Sequence, residues 1–187
     1  MCRWGVGFIA HGQNLTLVLE NAAPVRLALK DLQGDCDLTD AGFPELASLD
    51  ADVRAVLPKR PPEHQIHDLQ TGHFVTVLRF LSDLLARHDG FPEDAFYATL
   101  ARVLRRYQAA HPELADRFAL FDLFRPAMAR VCINRVRFRI GYGDDALRPR
   151  PELGTDLANP LHRFDPLRAG DLAATALAPR TNGDTPS

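Results

Sequence analysis

Two runs of strict alternation constrain this chain most. In Leu15-Thr16-Leu17-Val18-Leu19-Glu20 and again in Val25-Arg26-Leu27-Ala28-Leu29-Lys30, leucines recur at every second residue. Period two places them on one face of an extended strand. The intervening Asn21-Ala22-Ala23-Pro24 reads as a hairpin connection. Pairing Glu20 with Val25 predicts a register in which Asn14 lies opposite Asp31. Upstream, Trp4, Val6 and Phe8 alternate with Gly5 and Gly7, which adds a further strand. The first third is therefore expected to be antiparallel β.

The middle changes period. From Thr71 to Arg87, Phe74, Val77, Leu78, Leu81, Leu84 and Leu85 fall at helical spacing on one expected buried face. Thr71 is the expected cap and Asp89-Gly90 the stop. A second helix is predicted after Pro92, with Phe96, Leu100, Val103, Leu104 and Tyr107 on its stripe, ending near His111-Pro112. The short Gly90-Phe91-Pro92 link favours antiparallel packing of the pair. Shorter helices are expected over 50–57 and 113–121. Ala127 to Ile140 fits both templates: Met128, Val131, Cys132, Val136 and Ile140 suit a helix, while Val136, Phe138 and Ile140 alternate with Arg135, Arg137 and Arg139. The helix is the preferred reading. From Asp165 the composition turns small and polar, so residues 165–187 are expected to be a flexible tail behind one domain over 1–164. The fold class expected is α+β, an N-terminal antiparallel hairpin or sheet followed by a helical, bundle-like region.

A length of 187 residues with 46% hydrophobic residues supports one domain with a real core. The net charge of −2 argues against a dedicated nucleic-acid binder. No apolar run reaches the ~18–20 residues of a membrane span, and the first residues lack the layout of a signal peptide. A cytoplasmic location is the expectation. Cys2, Cys36 and Cys132 are scattered and odd in number, so neither a disulfide framework nor a Cys-ligated metal is indicated.

Two polar segments interrupt the β region. His11-Gly12-Gln13-Asn14 sits between apolar runs, and Lys30-Asp31-Leu32-Gln33-Gly34-Asp35 ends the second strand of the hairpin. Taken singly, they read as a turn and a strand exit. Taken together, the expected register brings Asp31 beside Asn14, with His11 and Gln13 close by. Oxygen ligands suit Mg²⁺, and His or Lys can bond phosphate oxygens. An unbroken strand would point His11 and Gln13 away from Asn14 and Asp31, so a bulge at Gly12 is expected to bring His11 round. His64-Gln65-Ile66-His67 reads as surface or capping residues. Arg135, Arg137 and Arg139 fit either an acidic substrate or a solvated face.

The run Gly7-Phe8-Ile9-Ala10-His11-Gly12-Gln13-Asn14, followed by Leu17-Val18-Leu19-Glu20, Pro24-Val25-Arg26-Leu27 and Lys30-Asp31-Leu32-Gln33-Gly34-Asp35, resembles the C-terminal, FhuF-like part of the IucA/IucC family. These are siderophore synthetases that work independently of nonribosomal peptide synthetases. The similarity continues through Gly72-His73, Arg137-Phe138-Arg139-Ile140-Gly141-Tyr142-Gly143-Asp144 and Asn159-Pro160-Leu161, covering about residues 3–163.

The resemblance implies the palm and thumb of a hand-like synthetase fold. It also implies Mg-ATP-dependent adenylation of a carboxylic acid such as citrate or succinate, then attack by an amine or hydroxylamine. By motif position His11 is implied as the ATP-site histidine and a catalytic group with Lys30. Gln13 and Asp31 are implied as the Mg²⁺-associated pair, and Asn14 as a further cofactor contact. His73, Arg137 and Arg139 are implied on the substrate side. Many members carry a glutamate two residues before the histidine, where this chain has Ile9. Members are much longer, and their other phosphate-holding residues lie upstream. The partners implied are therefore the missing N-terminal half or a second copy, with no nucleic acid and no membrane. The competing reading is a non-catalytic binding or assembly module. A ferric-siderophore reductase, the other activity under the FhuF name, would need about four cysteine thiolates for its cluster, against three scattered ones here.

Overall fold

A computed structural model describes residues 1–132 and 151–168. The class is α+β, as expected. A small sheet opens the fold: β1 (Val6–Phe8) pairs antiparallel with β4 (Cys36–Thr39), which pairs parallel with β5 (Lys59–Arg60). Between β1 and β4 the chain makes a separate hairpin of β2 (Leu15–Glu20) and β3 (Ala23–Leu29), then one helical turn, α1 (Leu32–Asp35).

The hairpin forms, but its register is not the expected one. Its connection is the two-residue turn Asn21-Ala22, both at positive φ (50° and 61°), so Glu20 pairs with Ala23. Positive φ at both central residues matches the right-handed twist of a hairpin. Pro24, which has no N–H to give the ladder, lies at an irregularity between Val18 and Leu19. Beyond it Leu17 faces Leu27 and Leu15 faces Leu29. This one-residue difference from the expected pairing aligns leucine with leucine on one face. It also sets Asn14 against Lys30, whose N–H donates to the Asn14 carbonyl at 3.1 Å, not against Asp31.

Helical segments follow: α2 (Ala51–Val56), α3 (Pro62–Gln65), α4 (His67–Leu69), wide π-type turns over Gln70–Leu78, α5 (Arg79–Asp89), α6 (Glu93–Ala110) and α7 (Ala115–Leu120). The wide turns show in the Arg79 N–H, which donates to the Phe74 carbonyl five residues back. Gly90 closes α5 at φ 64°, as expected from Asp89-Gly90. Thr71 is not a cap, because helical turns already precede it, and its hydroxyl bonds His67 Nδ1 at 3.0 Å. The expected stripe is only partly covered: Leu81, Leu84, Val103 and Tyr107 are exposed.

The core lies elsewhere on these helices. Phe43, Ile66, Ala101, Phe121, Leu123, Phe124 and Leu161 form one buried cluster, with Phe43 and Phe121 edge to face at 6.2 Å. Ala127–Cys132 is a strand, β6, paired with β7 (Glu152–Ala158), which corrects the helix reading for that part. A helix needs only its own backbone, whereas this segment finds its ladder partners some twenty-five residues on. The rest of that segment, 133–140, lies outside the described residues. Asn159 then caps the closing turn α8 (Pro160–Arg163): its side chain accepts from Leu161 N–H at 3.0 Å and donates to the carbonyls of Leu123 and Arg125 at 2.8 Å each. Asp165, expected to begin the tail, is buried in a two-pronged pair with Arg105 at 2.8 and 2.6 Å. The fold therefore runs to at least Arg168; residues 169–187 lie outside the described residues.

Candidate functional site

Residues 9–14 are a turn between two sheets rather than a bulged strand. Asn14 N–H donates to the His11 carbonyl at 3.0 Å and His11 N–H to Ile9 at 2.9 Å. The turn does what a bulge at Gly12 was expected to do: it swings His11 and Asn14 toward one acceptor. That acceptor is Asp35. Its Oδ2 receives the Asn14 Nδ2 at 2.7 Å and lies 3.7 Å from His11 Nε2. The Gln13 N–H donates to His11 Nδ1 at 3.2 Å, which leaves the ring proton on Nε2, facing the carboxylate. Asn14 is fully buried, and its second amide hydrogen goes to the Ile9 carbonyl at 3.0 Å.

His11, Gln13, Asn14, Asp31, Leu32, Gly34 and Asp35 line one open pocket of about 560 Å³. Four expected residues thus share a site, with Asp35 at its centre. Gln13, Lys30 and Asp31 are exposed, and Asp31 is held at φ 61° at the start of α1. Lys30 sits at the foot of the hairpin but is not part of the pocket wall. His73, implied on the substrate side, is fixed through one ring nitrogen. Its Nδ1 bonds the Ala10 carbonyl at 3.0 Å, which fastens the wide helical turns to the loop that carries His11. Arg137 and Arg139, with Arg135, lie outside the described residues.

The donor set of the pocket suits a hard cation: Gln13 and Asp31 are exposed oxygen-bearing side chains in its lining. Mg²⁺ is generally held by one or two carboxylates together with phosphate oxygens and water rather than by a full protein cage. Among the described residues no group of three or more His, Cys, Asp or Glu side chains makes a ready cage.

A second cavity, of about 210 Å³, lies on the other side of His11 and was not anticipated from the sequence. His67 and Gln65, expected at the surface, are buried there or beside it. Burial holds the His67 imidazole at a pKa of about 4, helped by His64 and Arg125, so it is neutral near pH 7. Asp37 and Asp68 are buried as well. Burial and their mutual repulsion push Asp68 up to about 8, and Asp37 is raised mainly by burial. Gly7 makes the approach possible: a Cβ there would stand 2.1 Å from Asp68 Oδ2 and 2.7 Å from Asp37 Oδ1. The one sequence signal was the polar density of His64-Gln65-Ile66-His67-Asp68, which exceeds what a surface turn needs.

Residues 1–146 match the family described as "ferric iron reductase FhuF-like transporter". This chain belongs to the FhuF-like family. The FhuF-like chain is 50% identical to the aerobactin synthase of Escherichia coli over 161 residues, covering 86% of itself and 28% of that protein. It is 46% identical to the rhizobactin siderophore biosynthesis protein RhbF of Rhizobium meliloti (strain 1021) over 166 residues, 88% of this chain and 28% of that one. Among solved structures it superposes on the aerobactin synthetase IucC of Klebsiella pneumoniae with a TM-score of 0.74 at 48% identity, covering 87% of this chain and 27% of IucC. AsbB of Bacillus anthracis shares the fold, with a TM-score of 0.69 at 21% identity. The FhuF-like chain is thus similar to one stretch of these siderophore synthetases, and it spans a little over a quarter of the length of these relatives.

Proposed function

We propose that this FhuF-like chain supplies part of the active site of an ATP-dependent siderophore synthetase. The reaction joins a carboxylic acid such as citrate or succinate to an amine or hydroxylamine through an acyl-adenylate. The observation that carries the reading is the 50% identity to an aerobactin synthase across 86% of the chain. The pocket at His11 supports it. There the His11 Nε2–H is the phosphate donor, held in its tautomer by the Gln13 amide and oriented by Asp35. Gln13 and Asp31 are the oxygens that would hold Mg²⁺, which when bound would neutralise charge at the α-phosphate. Lys30 adds a mobile positive charge at the mouth. His73 acts by holding the His11 loop from behind through the Ala10 carbonyl. Arg137 and Arg139 are proposed to meet the acid's carboxylates.

The rest of the synthetase, on the same polypeptide or in trans, is the proposed partner, because the relatives' other three quarters have no counterpart here. Its seat is the leucine face of the β2–β3 hairpin, where Leu17, Leu19, Leu27 and Leu29 stand more than half exposed. The hairpin leads into the pocket wall at Asn14 on one side and at Asp31 on the other, so a partner seated there lies beside the pocket. No helix among the described residues is long and apolar enough to cross a membrane; the proposed location is the cytoplasm.

Pyrophosphate release from ATP, Mg²⁺ and citrate or succinate tests this. The chain is assayed with the part of the E. coli aerobactin synthase outside its matched region. Release that needs both parts supports the reading. No release in any combination, with association retained, leaves an assembly module in its place.

A further inference from the structure

A third cavity, of about 220 Å³, shares no lining residue with either cavity at His11. Phe74, Leu100, Met128, Leu157 and Leu161 make its walls apolar; they come from the wide helical turns, α6, both strands of the β6–β7 pair and α8. The wide turn shapes it. Residues five apart on an α-helix point to different sides, but here the Arg79 N–H reaches back to the Phe74 carbonyl and both residues line one cavity. Asn159 lines it too, yet its amide is spent on Leu123, Arg125 and Leu161. The polar side chains left to an occupant are the exposed Arg79 and the half-buried Tyr97. Among the described lining residues Arg79 is the one charged group, and its partner is the Phe80 ring, 4.7 Å away, rather than a carboxylate.

We propose that this cavity binds a small amphiphilic anion, an aliphatic monocarboxylate. Its chain lies among Phe74, Leu100 and Leu157, and its carboxylate meets Arg79 and Tyr97 at the mouth. Charge complementarity selects the head. Arg79 would repel an ammonium group, and no acidic side chain among the described lining residues would hold one. A guanidinium grips a carboxylate through paired N–H donors, and a phenol hydroxyl adds another. The walls select the tail. Water there finds few partners, so an apolar chain that displaces it gains affinity. Citrate has no apolar chain to give these walls, and its further carboxylates find no second cation in the described lining. The occupant is bound and not activated, because none of its contacts belongs to the pocket at His11. A mostly apolar cavity with a few converging polar groups is the usual form of a small-molecule site. The site does not depend on the synthetase reading.

The test titrates octanoate, with 1-octanol, octylamine and citrate in parallel, into the full chain without ATP, followed by amide chemical shifts. Saturable shifts are expected for octanoate at Phe74, Val75, Leu100, Met128 and Leu157. Octylamine is expected to bind there severalfold more weakly, and citrate to leave those amides unmoved. Arg79→Gln is expected to weaken octanoate about tenfold and to keep 1-octanol within about twofold, which separates the charge from the packing. Ala158→Trp, at an exposed position in the lining, is expected to obstruct both ligands severalfold. Octylamine binding as tightly as octanoate, unchanged octanoate affinity in Arg79→Gln, or citrate binding at this cavity overturns the proposal. So do shifts confined to Gln13, Asp31 and Asp35 or to the hairpin leucines, or no saturable shift. Because ATP is absent, failure here leaves the pyrophosphate assay to decide the synthetase reading by itself, and failure of that assay leaves this site standing.

Discussion

Asn14 and Asp35, twenty-one residues apart, meet in a 2.7 Å hydrogen bond that joins the loop before the β2–β3 hairpin to the turn after it. The same carboxylate oxygen stands 3.7 Å from His11 Nε2. This one contact closes the hairpin's base and aims the histidine, so the site depends on a buried amide as much as on the residues facing the pocket.

Asn14→Ala is expected to destabilise the chain by about 2 kcal/mol, because it removes two side-chain bonds and leaves Asp35 and the Ile9 carbonyl short of a donor. Urea unfolding followed by circular dichroism measures it. A change below about 0.5 kcal/mol would show that the contact does not hold the base of the hairpin.

His11→Ala is expected to leave the unfolding midpoint nearly unchanged, since the side chain lies partly exposed on a pocket wall. In the two-part pyrophosphate assay it should abolish release. Turnover retained within about tenfold would take His11 out of the ATP site.

The hairpin's leucine face gives a prediction about assembly. Leu17 and Leu27 face each other across the ladder and both are exposed, so Leu17→Glu with Leu27→Lys replaces an apolar pair by an opposite-charge pair. The isolated chain should change by less than about 1 kcal/mol. Its sedimentation with the remainder of the aerobactin synthase should revert to free chains. Undiminished association would place the interface elsewhere.

Asp68 sets a pH dependence. Its folded pKa is about 8, above the ordinary carboxylate value, so the folded chain holds a proton that the unfolded chain has released. The sign follows: stability is unaffected below about pH 4, falls as pH rises, and has lost the whole contribution above about pH 8. Asp37, Arg60 and the Met1 amino group face Asp68 and modulate this. Asp68→Asn should flatten the alkaline limb in thermal melts. An unchanged limb would mean that the pair does not share a proton.

Asp165→Asn breaks the ionic pairing with Arg105 and is expected to cost about 2 kcal/mol. Thermal melts read it. A neutral result would return Asp165 to the tail.

Local pattern made much of this legible. Leucine alternation marked β2 and β3, the Gly90-Phe91-Pro92 break separated α5 from α6, and the polar interruptions at residues 11–14 and 30–35 marked the pocket. These are properties of a residue and its near neighbours, so propensity and periodicity carry them. The hairpin's register was not legible from spacing alone, because it turns on which two residues adopt positive φ and on how the strands accommodate Pro24. The pairing of Ala127–Cys132 with Glu152–Ala158 escaped for a similar reason, since a strand is defined by a partner that its own sequence does not contain.

By itself, then, the sequence determined an α+β chain with a polar cluster around His11, and its similarity to the synthetases. Only the tertiary structure decided that Asp35 rather than Asp31 anchors Asn14. It also brought Asp37 and Asp68, thirty-one residues apart, together across Gly7. Burial is a property of the assembled fold: the same carboxyls on an open surface would ionise separately, and between Gly7 and Gln65 they cannot.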